Sequence, residues 1–189
     1  ARIISDGPDA LVADDVVYGT AAAATPIRVL LRGSEDYFLD SFFSVHPGIL
    51  AMREQGGSED PAAPTPEREA FRSAVDLMVL RGTSVPVLHR GAYLLLNSPP
   101  RGKEVLERPA AVSTDRDHPV MRGVDLSRLE VYRARSLQAP VRPAGYGGTV
   151  LVRAGERPLI TVIEEPGLRV VDIGFDLLDS NFAVLPAFP

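Results

Sequence analysis

Apolar and polar positions alternate in a way that divides the chain into short, strongly apolar segments. Residues 27–31 form an apolar run closed by Gly33, which predicts a strand. Ser34 to Asp36 then offer N-cap oxygens, and Phe38, Leu39, Phe42 and Phe43 recur at helical spacing. His46-Pro47-Gly48 ends that helix, and residues 49–52 predict a second strand. The near-continuous apolar runs at 75–80 and 92–97 suit parallel strands covered on both faces. Further strands are predicted at 129–134, 149–152, 158–163 and 168–175. Turn chemistry separates them at Gly145 to Gly148, Ala154-Gly155-Glu156 and Glu165-Pro166-Gly167.

Two stretches depart from this pattern. Residues 1–25 hold a turn at Asp6-Gly7-Pro8-Asp9, a β-prone Val16-Val17-Tyr18 and a run of alanines at 21–24. They read as an extended β arm, or the remnant of a preceding β-domain, ahead of an α/β domain at 26–189. Residues 55–66 are rich in Gly, Pro, Ser and acids and read as a loop, and 67–74 as a short helix. Strand–helix units followed by hairpins predict a three-layer α/β fold with a mixed sheet.

Composition narrows the chemistry. At 189 residues, 45% hydrophobic and 24% charged, the chain has the make-up of a globular domain. A formal charge of −5 and scattered basic residues, with Lys103 the sole lysine, argue against nucleic acid as a partner. The absence of cysteine removes thiol nucleophiles, disulfides and thiolate metal ligands together. No stretch of about 18 apolar residues is present to span a bilayer. Both ends read as internal boundaries, since the chain opens mid-pattern at Arg2-Ile3-Ile4 and stops in the apolar Phe182 to Pro189.

Each candidate constellation meets a chemical obstacle. Asp6, Asp9, Asp14 and Asp15 lack the alternating spacing and downstream glutamate of a calcium loop. His46, His89 and His118 have no ligand spacing, so no metal or cofactor is expected. Asp117 and His118 could pair as acid and base, but neighbours in an extended segment point apart, and Pro119 keeps His118 extended. There is no G-x-S-x-G, phosphate loop or dinucleotide fingerprint. Three readings remain open. The first is a non-catalytic interaction or structural module. The second is a small-ligand or glycan-binding module, with Gly33, Ser34, Asn97 and Ser98 at the strand ends, and Asp117 and His118, as candidate ligand-binding residues. The third is a serine-type hydrolase in which His118 acts with Asp117 or Asp115 and with Ser98 or Ser34.

Several segments taken in order carry a family resemblance. They are Asp9 to Asp15, Arg28-Val29-Leu30-Leu31 with Tyr37-Phe38-Leu39, Asp76 to Gly82, Gly91 to Asn97, Asp117-His118-Pro119 to Val124, and Gly174-Phe175-Asp176 through Ser180-Asn181 to Phe188-Pro189. Together they resemble the C-terminal part of Bat-type (aerotolerance operon) bacterial membrane proteins that carry a von Willebrand factor A domain. In that family the segment looks like a class I glutamine-amidotransferase-like domain. The resemblance implies a flavodoxin-like sheet, a preceding β-sandwich and a membrane helix beyond Pro189. It also implies an extracytoplasmic, periplasmic location, with sister domains and envelope proteins as partners. An amidotransferase needs a cysteine on the elbow after a central strand. Here Leu96-Asn97 runs into Ser98-Pro99-Pro100, which implies a domain without glutaminase chemistry.

Overall fold

The computed structural model describes residues 25–54, 74–83, 88, 90–98, 102–109, 112–138 and 147–185. The expected arm, the loop at 55–66 and the short helix at 67–74 lie outside these residues, apart from Thr25 and Ala74.

The centre is an eight-stranded mixed sheet. Its strands are β1 (Ile27–Gly33), β2 (Ile49–Glu54), β3 (Leu77–Arg81), β4 (Gly91–Leu96), β6 (Val112–Thr114), β8 (Gly147–Ala154), β9 (Arg157–Glu165) and β10 (Leu168–Ile173). Their spatial order is β2-β1-β3-β4-β10-β9-β8-β6. The strands from β2 through β10 run parallel, and those from β10 through β6 pair antiparallel. Among the described residues one α-helix, α1 (Tyr37–Val45), supplies the crossover that parallel β1 and β2 require. The α/β class and the mixed sheet are therefore as the pattern predicts. Among the described residues no helix is long and apolar enough to cross a membrane.

Burial explains the parallel half. Val29, Leu30 and Leu31 are all buried, and so are Val79 with Leu80 and Leu95 with Leu96. Successive side chains of a strand enter opposite faces. Val29, Leu31, Val79 and Leu96 accordingly join one core with Leu39 and Phe43 of α1, while Leu80 and Leu95 join Val170 in a second. The helix begins where Asp36 accepts the Leu39 N–H at 3.0 Å, an N-cap worth about 1 kcal/mol. Arg53 of β2 ion-pairs with Asp40 and ties the helix to the edge strand.

The antiparallel half follows its turns. Gly155 (φ +58°) closes the β8–β9 hairpin and Gly167 (φ +80°) the β9–β10 hairpin, both positions where L side chains are strained. Two expectations need correction. Of the turn expected at Gly145 to Gly148, Gly147 and Gly148 belong instead to β8, paired with Glu164 and Ile163, while residues 145 and 146 lie outside the described residues. The strand expected at 129–134 begins later, as β7 (Arg133–Leu137). It pairs antiparallel with an unforeseen strand, β5 (Gly102–Glu107), in a separate two-stranded ribbon. Arg135 N–H donates to the Gly174 carbonyl at 2.6 Å, which anchors the ribbon just past β10.

Candidate functional site

Open α/β sheets bind ligands beyond the carboxyl ends of their parallel strands, where the strand order reverses. In this chain the reversal lies between β1, which has β2 on one side, and β3 on the other. The residues there are Gly33-Ser34-Glu35-Asp36 after β1, Arg81 at the end of β3, Asn97-Ser98 after β4 and Gly174 to Asp176 after β10.

Arg81 occupies that crevice. It is buried to 7% exposure, and its guanidinium is shared among four residues. Nη1 donates to the Ser34 hydroxyl at 2.9 Å and to the Glu35 and Ser34 carbonyls at 2.7 and 3.3 Å. Nη2 donates to Asp176 Oδ1 at 2.8 Å and lies 3.2 Å from Asp36 Oδ2. The Asp36 contact is an ion pair without hydrogen-bond geometry, so Oδ2 has no hydrogen-bond partner despite its charge contact. The planar fork of arginine suits this multidentate role. Asp36 thus caps α1 with one oxygen and faces Arg81 with the other. Asp176 likewise pairs with Arg81 while accepting the Leu178 N–H at 3.1 Å.

The strand-end residues singled out in the sequence are consumed by this framework. Gly33 (φ +108°) is needed for close approach, because a Cβ there would lie 1.9 Å from the Arg81 carbonyl oxygen. Ser34 receives Arg81. Asn97 adopts φ +46°, which asparagine tolerates, and its Oδ1 accepts from Arg135 Nε at 3.2 Å. Ser98 is buried, and its hydroxyl donates to the Leu80 carbonyl at 3.2 Å.

Asp117 and His118 belong to the opposite end of the sheet. His118 Nδ1 accepts the Val120 N–H at 3.2 Å, and Nε2 lies 3.8 Å from Glu164 Oε2. Glu164 is level with Arg169, which pairs with Ala92 at the entry of β4. Ser98 follows the exit of β4, roughly 20 Å of strand away. Asp117 is exposed, and its N–H donates to Asp115. The six candidate residues therefore form no single site. The His118–serine arrangement that a hydrolase requires is not made, because strand direction holds its members at opposite ends.

Sequence reasoning missed Arg81 and Asp176. Their one local signal is a charge placed directly after an apolar strand run, in Leu80-Arg81 and in Phe175-Asp176. Among the described residues no group of three or more His, Asp and Glu is placed to hold a metal. No protein-family model, curated protein or solved structure matches the chain.

Proposed function

We propose that this chain is a non-catalytic interaction module, an amidotransferase-like α/β domain of a membrane-anchored bacterial envelope protein. The observation that carries the reading is the occupied crevice: Arg81, Asp36 and Asp176 fill the place where such a sheet would receive a ligand. The sharp turn after a central strand is where hydrolases present a nucleophile. Here Asn97 stands at that turn, an amide held by Arg135, and the adjacent Ser98 hydroxyl is committed to a backbone carbonyl.

The family assignment rests on the resemblance of the ordered segments. The strand order supports it, because β2-β1-β3-β4 followed by one more parallel strand is the 2-1-3-4-5 order of flavodoxin-like sheets. On this reading the domain stands on the periplasmic side, tethered by a segment beyond Pro189. It would contact sister domains of its own protein and neighbouring envelope proteins, without cofactor or nucleic acid.

The test is fractionation of the source cells, probed with an antibody to this domain. A membrane-bound species much larger than 20.3 kDa is the expected result. A soluble species of about that size overturns the tethered-module reading.

A further inference from the structure

A second concavity lies away from the filled crevice. It is an open cleft of about 870 Å³ between the end of β5, strand β6 and the segment leading into β7. That volume is within the range of about 300–1,000 Å³ that small-ligand sites occupy. Arg108 and Arg116 stand on its wall with Thr114, Ser127, Glu130 and Tyr132.

The cleft is held in shape by the chain's last described segment. Asn181 Oδ1 accepts the Glu130 N–H at 2.8 Å, Asn181 N–H donates to the Glu130 carbonyl at 3.0 Å, and Nδ2 donates to the Arg128 carbonyl at 2.9 Å. Val131 bridges Ser180, and Tyr132 N–H donates to the Asp179 carbonyl at 2.7 Å. Buried Leu126, Leu129 and Val131 root the same segment in the core. Such pre-ordering lowers the cost of binding.

The two arginines on this wall are little used among the described residues. Arg108 makes no side-chain ion pair or hydrogen bond among the described residues. It also sits at φ +43°, a strained conformation for a non-glycine residue and one that concentrates at binding sites. Arg116 has only a loose 3.8 Å contact to Asp125, with both side chains about 70% exposed.

We propose that this cleft binds a carboxylate-bearing sugar, of the uronic acid class. Arg116 shares its charge with Asp125 while Arg108 keeps its own, so among the described residues the wall offers one uncommitted cation, which suits a single carboxylate better than a doubly charged phosphate. Glu130 and the hydroxyls of Thr114 and Tyr132 supply acceptors and donors for a polyhydroxylated ring. Tyr132, 46% exposed, offers an aromatic face on which a sugar can lie. The site is independent of the tethered-module reading, and either can fail alone.

The experiment is an amide NMR titration of the domain with methyl glucuronide, set beside methyl glucoside, acetate and inorganic phosphate. The expected result is a saturable shift of the Arg116 and Ser127–Tyr132 amides with the glucuronide, with the glucoside at least about tenfold weaker. Arg108→Gln and Arg116→Gln should each weaken the glucuronide about tenfold, the loss expected for one charged hydrogen bond. Absence of shifts, equal response to the glucoside, or equal response to acetate or phosphate overturns the proposal. Should a variant unfold, the glucuronide–glucoside contrast on the unaltered protein still decides.

Discussion

Arg81 and Asp176 are separated by 95 residues of sequence and joined by a 2.8 Å charged hydrogen bond at the carboxyl edge of the sheet. The pair, with Asp36, links the ends of β1, β3 and β10 and closes the crevice between them. Removing one member of a buried ion cluster strands the others without compensation, at about 3–5 kcal/mol. Arg81→Met is therefore expected to lower urea stability by that amount. Arg81→Lys should recover only part of it, because a single ammonium cannot span Ser34, Glu35 and Asp176 as the planar fork does. A melt unchanged by Arg81→Met would contradict a structural role for the cluster.

Gly33 provides a second test, of backbone approach rather than charge. Gly33→Ala would drive a methyl group into the Arg81 carbonyl at 1.9 Å and also place alanine at φ +108°. Gly123→Ala is the matched control, since Gly123 has φ +80° but nothing within 4 Å of the added carbon. The control should cost about 1–2 kcal/mol for its left-handed backbone alone. Gly33→Ala should cost clearly more, or leave no folded protein. Equal losses in chemical denaturation would show that the close contact relaxes freely.

Asn181 holds the 128–131 segment by both ends of its side chain. Asn181→Ala removes two hydrogen bonds to backbone groups, each contributing about 0.5–1.5 kcal/mol. The expected effect is a stability loss of about 1–3 kcal/mol. Hydrogen exchange at Glu130, whose N–H loses its acceptor, should speed up more than exchange in β9. Uniform acceleration across both regions would mean that Asn181 supports the whole fold and not this segment in particular.

How far these relationships could be read beforehand depends on range. The apolar runs of β1, β3 and β4 are legible because parallel interior strands bury both faces. Pro166-Gly167 and Gly155-Glu156 mark their hairpins through turn chemistry. Strand β5 escaped notice because Leu106 is buried while Val105 is half exposed, which leaves no alternation to detect. The run at 129–134 misled for a different reason. Leu129 and Val131 reach the core from a segment clamped by Ser180 and Asn181, and the ladder with β5 starts only at Arg133, opposite Glu107. Grouping Ser98 with His118 failed because composition carries no strand direction. Each of Arg81, Asp36 and Asp176 carries at most a local hint, and their grouping has no sequence signal, since only the folded sheet edge brings them together.

Asp125 gives the one pH-dependent prediction. Its carboxylate accepts the Ser127 N–H at 3.0 Å, and that backbone bond, with the Ser127 hydroxyl, holds the acid below its ordinary value of 3.8. Arg116 and Arg128 add weaker attraction for the charged form. A depressed folded-state value means that the ionised group favours the folded chain. This contribution is fully present above the unfolded value and is lost as pH falls through the folded one. The stability gap between the native protein and Asp125→Asn should therefore narrow on acidification below pH 3.8. Carboxyl ¹³C titration should place the Asp125 midpoint under that value. Ser127→Ala should raise the midpoint only in part, because the larger backbone contribution survives. Arg116→Gln should raise it less, because its charge sits 3.8 Å away and in solvent. A midpoint at or above 3.8 would mean that the Ser127 turn opens in solution, and with it one wall of the cleft.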